Sequence, residues 1–248
     1  MKVYIQTDRN NLPLSENVFV AMNGFKKMGF EIVLFDNLDK VSSMMNREDI
    51  VVGGIATVRR RLNELNIGSD EINYPEEIRK YLGRKIWFSD MDTVASNPDL
   101  WPVFVKSVEG KKITGKVIRT VEDLNGLGSS FDNPRIICSE VVDFVSEWRV
   151  FVRYGQVEGV KQYLGSWYYP YDPKVIDKCL HDYKSIPAGC SVDFGVTREG
   201  KTLLIEVNDG YSLASYGLMD IQYAKLLSAR WAELTGMEDE CAFDIKII

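Results

Sequence analysis

The stretch SVDFGVTREGKTLLIEVNDG, residues 191–210, constrains the fold more than any other part of the chain. Apolar and polar residues alternate on both sides of a polar turn at Glu199-Gly200. A period of two means a strand with one buried face. Two such strands with a short turn make an antiparallel hairpin. In the first strand Val192, Phe194 and Val196 face one way, and Ser191, Asp193 and Gly195 the other. In the second, Leu203, Ile205 and Val207 oppose Leu204, Glu206 and Asn208. A loop at Arg198–Lys201 sets Asp193 across from Glu206 and Ser191 across from Asn208. Directly opposed residues have Cβ atoms about 5 Å apart, and like charges there repel. A bound cation reverses that repulsion. Carboxylates and an amide carbonyl are hard oxygen donors that suit Mg²⁺, which shares its shell with water and phosphates. The competing reading is a solvent-facing hairpin whose acidic residues are unrelated to function.

The rest of the chain divides into two kinds of pattern. Lys2–Thr7, Glu31–Asp36 and Asp49–Ile55 read as strands, separated by helical spacing over Ser15–Met28 and followed by a helix from Thr57 to Leu65. This βαβ-type order predicts a small parallel sheet covered by helices. No GxGxxG follows the first strand, so no dinucleotide site is expected. From about residue 85 the pattern becomes antiparallel hairpins with flanking helices, an α+β organisation. The expected domains are 1–84, α/β, and 85–248, α+β.

Three further segments carry candidate chemistry. Lys106 closes the apolar strand WPVFVKS and is followed by the Gly/Lys loop EGKKITGKV. Backbone amides and lysine charge in such a loop can close over phosphates, although a surface hairpin loop explains it equally. Glu140, at the end of the strand from Arg135, is followed by two apolar residues; a carboxylate with adjacent backbone amides can hold a ribose and an adenine edge, a reading that many strand ends would share. In SEWRVFVRYG, Glu147, Arg149 and Arg153 share one face. Forked arginine donors there suit phosphate or carboxylate recognition, and a structural ion pair with Glu147 or, across the strands, with Glu158 is the alternative.

Composition excludes other classes. The chain has 248 residues and a net charge of −6, which disfavours general nucleic-acid binding. The run Arg59-Arg60-Arg61 points in different directions on a helix, as a solvated face would. The four cysteines form no CxxC pair, and the single histidine, His181, is expected at the surface. Histidine- or cysteine-based nucleophilic chemistry is therefore not expected. No signal-like segment opens the sequence, and no apolar run reaches the ~20 residues of a membrane span. A cytoplasmic location is expected.

Taken in order, these pieces resemble the ATP-grasp superfamily, most of all its small bacterial and phage members. The resemblance rests on Pro102-Val-Phe-Val-Lys106, Lys112-Ile-Thr-Gly-Lys116, Ser139-Glu-Val-Val142, Glu147-Trp-Arg149-Val, and Asp193-Phe-Gly-Val with Ile205-Glu-Val-Asn208. It covers about residues 85–235, and the preceding βαβ region looks like a pre-ATP-grasp domain. It implies an ATP-grasp fold and Mg-ATP as cofactor. It implies that Lys106 and Lys85 contact phosphates, with Lys112 and Gly115 in the loop over them. Glu140 and Val142 would lie at the adenine hinge, and Glu147 would also bind the nucleotide. Asp193, Glu206 and Asn208 would hold Mg²⁺, and Arg149 would stabilise the transferring phosphoryl group. The implied reaction joins a carboxylate to an amine through an acyl-phosphate, releasing ADP. A phosphotransferase and a non-catalytic nucleotide-binding module are the alternatives. The carboxylate and amine, which would be small molecules or peptides, and the oligomeric state are not legible in the sequence.

Overall fold

The computed structural model describes residues 1–68, 72–108, 113, 115–127 and 133–243. By packing, the chain divides into two compact units: Met1–Tyr81 with Val145–Ile248, and Leu82–Phe144. The first break lies close to the sequence boundary at 84. The second has no counterpart in the sequence pattern.

The larger unit contains two sheets. β1 (Lys2–Gln6) pairs in parallel with β2 (Glu31–Phe35) and β3 (Ile50–Val52), in the order β2-β1-β3. Its helices α1 (Glu16–Lys27) and α2 (Ile55–Glu64) follow β1 and β3. Ser15 caps α1 by accepting from the Val18 amide, and Lys26 and Lys27 occupy its last turn. Both choices suit the helix dipole. The second sheet is antiparallel. It comprises β8 (Phe144–Arg153), β9 (Gln156–Gly165), β10 (Gly189–Thr197) and β11 (Thr202–Asp209), in the order β11-β10-β8-β9. α4 (Pro173–Asp182) lies between β9 and β10 in sequence, with Pro173 at its start and Asp172 capping it. α5 (Asp220–Thr235) ends at Gly236, whose φ of 68° suits a left-handed cap. α5 packs on α1 and on β10. Val3, Ile5, Phe25, Leu62, Phe151 and Trp231 share one apolar core, which ties the parallel sheet to the second half of the chain.

The smaller unit is a four-stranded antiparallel sheet. β4 (Ile86–Asp90), β5 (Val103–Ser107), β6 (Lys116–Ile118) and β7 (Arg135–Ser139) run in the order β4-β7-β5-β6. Its core holds Val94, Val103, Val105, Ile118, Ile136 and Cys138. α3 (Met91–Ala95), capped by Asp90, follows β4 directly.

Candidate active site

The hairpin of β10 and β11 pairs Asp193 with Glu206 and Ser191 with Asn208. The route to that register differs from the expected one. Val196 pairs with Thr202 and Phe194 with Leu204, and the register shifts between Phe194 and Asp193. Ile205 is thus an extra residue, a β-bulge. A bulge reverses the faces beyond it. Leu204, expected beside Glu206 and Asn208, lies instead with Val192 and Phe194 and is fully buried.

β8 lies between β10 and β9, so its side chains meet those of β10. Arg149 donates from Nε to Asp193 Oδ1 at 2.8 Å and from Nη2 to Asp193 Oδ2 at 2.7 Å. Neither Glu147 nor Glu158 is the arginine's ion-pair partner; Asp193 is. Arg149 is 6% exposed and Asp193 1%. Arg149 Nη1 also donates to the Ala214 carbonyl at 3.3 Å. Its guanidinium lies 4.8 Å from the Tyr216 ring and 5.7 Å from that of Tyr163. Those rings stack on each other at 4.9 Å. Burial opposes the charge on Arg149, but Asp193 outweighs it and holds the guanidinium protonated. Burial pushes the Asp193 carboxyl up, against the pull of Arg149, and Glu206 and Glu147 add to the push. Glu147 is raised as well, by burial and by Glu206, although the Tyr163 hydroxyl donates to it. Glu147 and Glu206 therefore lie near the Asp193 carboxylate that pairs with Arg149. Arg153, on the same strand face, belongs elsewhere: it pairs with Asp239 at 3.0 Å.

Among the described residues no group of three or more acidic, histidine or cysteine side chains is arranged to hold a metal ion; the expected donor set is two carboxylates and an amide, with one restriction. Asn208 Nδ2 donates to Asp193 Oδ2 at 3.1 Å, which turns its carbonyl oxygen to the other side. Glu206 supplies a carboxylate on the same strand face. The Ser191 hydroxyl, opposite Asn208, is buried without a hydrogen-bond partner. A carboxylate has about four acceptor positions. Asp193 spends three on Arg149 and Asn208, so it has little to offer a metal beyond the remaining one.

The smaller unit carries the other candidates. Lys106 is half-buried on β5, on the face opposite Val105, and pairs in register with Ile137. Lys85 and Glu140 meet across the edge of β4 and β7. The Lys85 amide donates to Glu140 Oε2 at 2.9 Å, and the Glu140 amide to the Lys85 carbonyl at 3.1 Å. Val142, just beyond, is half-buried. Gly115 has φ +96°, and a Cβ there would meet the Phe104 ring at 2.9 Å, so glycine alone fits. Lys112 and most of the loop around it lie outside the described residues.

Other sequence expectations resolve as follows. Arg61 is buried, not solvated; it donates to the Met45 carbonyl at 3.0 Å. His181 is exposed. All four cysteines are buried and unpaired, and burial pushes Cys138 up to about 11 and Cys179 to about 12. Tyr163 escaped the sequence reading, because a register shift in β9 removes it from any simple alternation.

A sequence profile of the ATP-grasp domain, R2K clade family 2, matches residues 81–226. The chain belongs to this family. The ATP-grasp fold also emerges from solved structures. The chain is similar to D-alanine–D-alanine ligase from Bacillus anthracis, with 15% identity over 95% of this chain and 97% of that one, at a TM-score of 0.56. It is similar to N5-carboxyaminoimidazole synthetase from Staphylococcus aureus, with 11% identity over 96% and 78%, at 0.61. It is also similar to the macrocyclase MdnC bound with precursor peptide MdnA from Microcystis aeruginosa MRC, with 16% identity over 92% and 99%, at 0.51. At these identities the likeness is one of fold. No curated protein matches the chain by sequence. No helix among the described residues of this ATP-grasp chain is long and apolar enough to cross a membrane.

Proposed function

We propose that this ATP-grasp protein is an ADP-forming carboxylate–amine ligase that works through an acyl-phosphate. The observation that carries the reading is the buried Arg149–Asp193 pair flanked by Glu147, Glu206 and Asn208. A charge-neutral enclosure has no use for two further carboxylates near Asp193. A site that takes a divalent cation and a phosphoryl group does. Structural neighbours that are ligases support the choice of C–N bond formation over simple phosphotransfer.

In this reading residues 1–84 form the pre-ATP-grasp domain and 85–248 the ATP-grasp domain. Lys106, Lys85, Lys112 and Gly115 bind phosphates, Glu140 and Val142 lie at the adenine hinge, and Glu147 also binds the nucleotide. Asp193, Glu206 and Asn208 would hold Mg²⁺. Mg-ATP, when bound, supplies the phosphoryl group and neutralises its charge. Arg149 is oriented by Asp193 so that its outer edge faces developing negative charge, and its fixed fork costs no reorganisation at the moment of reaction. Tyr163 and Tyr216 cover the guanidinium and keep water from it.

ADP release measured across pools of carboxylates and amines tests the proposal. A ligase releases ADP only when both partners are present. ADP release with a carboxylate alone and a stable phosphorylated product would identify a phosphotransferase. Tight ATP binding with no ADP in any pool would identify a binding module.

A further inference from the structure

Asn17 stands in the first turn of α1 and bonds to the segment that follows β11, within the larger unit. Its Oδ1 accepts from the Ser215 amide at 2.9 Å and from Ser215 Oγ at 3.0 Å. A backbone N–H can only donate, so the oxygen of the side-chain amide, not its nitrogen, faces Ser215. Ser215 is 2% exposed, so water cannot stand in for that oxygen. A buried donor left without an acceptor is costly. Asn17 itself is half-buried, and α1 is capped independently by Ser15. The side chain can therefore change without undoing the start of the helix.

Ser215 stands between two groups that bracket Arg149. Just before it, the Ala214 carbonyl accepts from Arg149 Nη1 at 3.3 Å. Just after it, the Tyr216 ring lies 4.8 Å from the guanidinium and stacks on Tyr163. Asp193 grips Nε and Nη2, and the Ala214 carbonyl holds the third nitrogen. The backbone here is not one the chain adopts by default. Tyr216 has φ +41°, in the left-handed region that disfavours a side chain, and Gly217 follows at φ +79°. Such a conformation persists only where its surroundings over-determine it. Contacts on both sides of Ala214 do so. The Tyr223 hydroxyl donates to the Leu213 carbonyl at 2.5 Å, and the Leu218 amide donates to the Ser215 carbonyl at 2.8 Å. Asn17 holds the Ser215 N–H and hydroxyl between them.

We propose that Asn17 is a positioning residue for Arg149: by holding Ser215 it sets the Ala214 carbonyl and the Tyr216 ring against the guanidinium. That the ordered guanidinium then meets the transferring phosphoryl group rests on the ligase reading; that Asn17 orders it does not. The test is NMR of the full chain without ATP, read at the Arg149 Nε–H and the Tyr216 amide. Steady-state kinetics follow, with the substrates found in the pooled assay. Asn17→Ala removes the acceptor and should shift and broaden both resonances. It should lower kcat about tenfold, on the scale of one unmade buried hydrogen bond, and leave the KM for ATP unchanged. Asn17→Asp keeps an acceptor oxygen, and a carboxylate suits the first turn of a helix. It should restore both resonances and kcat. Glu16→Ala, one residue earlier and exposed, should change neither. Resonances that Asn17→Ala leaves in place, or that Glu16→Ala moves equally, would overturn the proposal. So would an Asn17→Asp variant that fails to rescue, or an Asn17→Ala variant that loses stability and keeps its kcat. If the wild-type chain releases no ADP with any pool, the ligase reading fails, and the NMR comparison still decides whether Asn17 orders Arg149.

Discussion

Asp193→Asn tests the buried pair at the centre of the site. The substitution keeps the shape of the side chain and removes its charge, leaving Arg149 buried with a neutral partner. Arg149 and Asp193 are 6% and 1% exposed, so water cannot replace the lost attraction. Breaking one side of a buried ion pair costs about 3–5 kcal/mol, whereas removing both charges costs much less. In a chain of this size each kcal/mol moves the melting temperature by roughly 2–4 °C. Asp193→Asn and Arg149→Met should therefore each lower it by roughly 6–20 °C. The double variant should be more stable than the sum of the two losses predicts, by about 2–3 kcal/mol. Denaturant melts of the four proteins give the coupling. A double variant within about 0.5 kcal/mol of additivity would refute the pairing argument. Arg149→Lys adds the kinetic side. Lysine keeps the charge and loses the planar fork, so kcat and kcat/KM should fall together. A variant that loses stability and keeps its kcat would make the pair purely structural.

Three other outcomes follow from the same geometry. Glu206→Gln should reduce ADP formation by orders of magnitude with little change in melting temperature, since Glu206 is only partly buried; near-normal turnover would remove it from the metal site. Lys106→Ala should weaken ATP more than adenosine in calorimetry, and an equal loss for both would make the lysine a structural residue of β5. Burial and Glu206 raise Glu147 above its ordinary value of 4.5. The folded state then holds this proton more tightly than the unfolded chain, so the stability linked to it is full below about 4.5 and is lost as pH rises through the folded-state value. The difference in melting temperature between Glu147→Gln and wild type should shift in favour of the variant from pH 4 to pH 7.5, and a shift the other way would contradict the assignment.

Much of the fold was legible because local patterns carried it. Alternation around Glu199-Gly200 located the hairpin, and the register of Asp193 with Glu206 came out as expected. It did so because a longer turn and the bulge at Ile205 compensate, which no alternation rule reveals; Leu204 shows the cost. The partner of Arg149 was hidden for a different reason. β8 lies beside β10 although β9 and α4 separate them in sequence, and spacing within one strand says nothing about its neighbours in the sheet. α3 was missed because five residues are too few to show a helical period. Arg61 read as solvated because charge alone does not show that the Met45 and Ser42 carbonyls wait for it.

The measurement that bears most directly on the ligase reading follows one oxygen atom. Once the pooled assay has identified a carboxylate substrate, it is labelled with oxygen-18 and the released phosphate is analysed by mass spectrometry. An acyl-phosphate forms when a carboxylate oxygen bonds to the transferred phosphorus, and attack by the amine on the acyl carbon expels that oxygen with the phosphate. The account predicts one labelled oxygen in each phosphate and one amide per ADP; unlabelled phosphate, or ADP without amide, would contradict it.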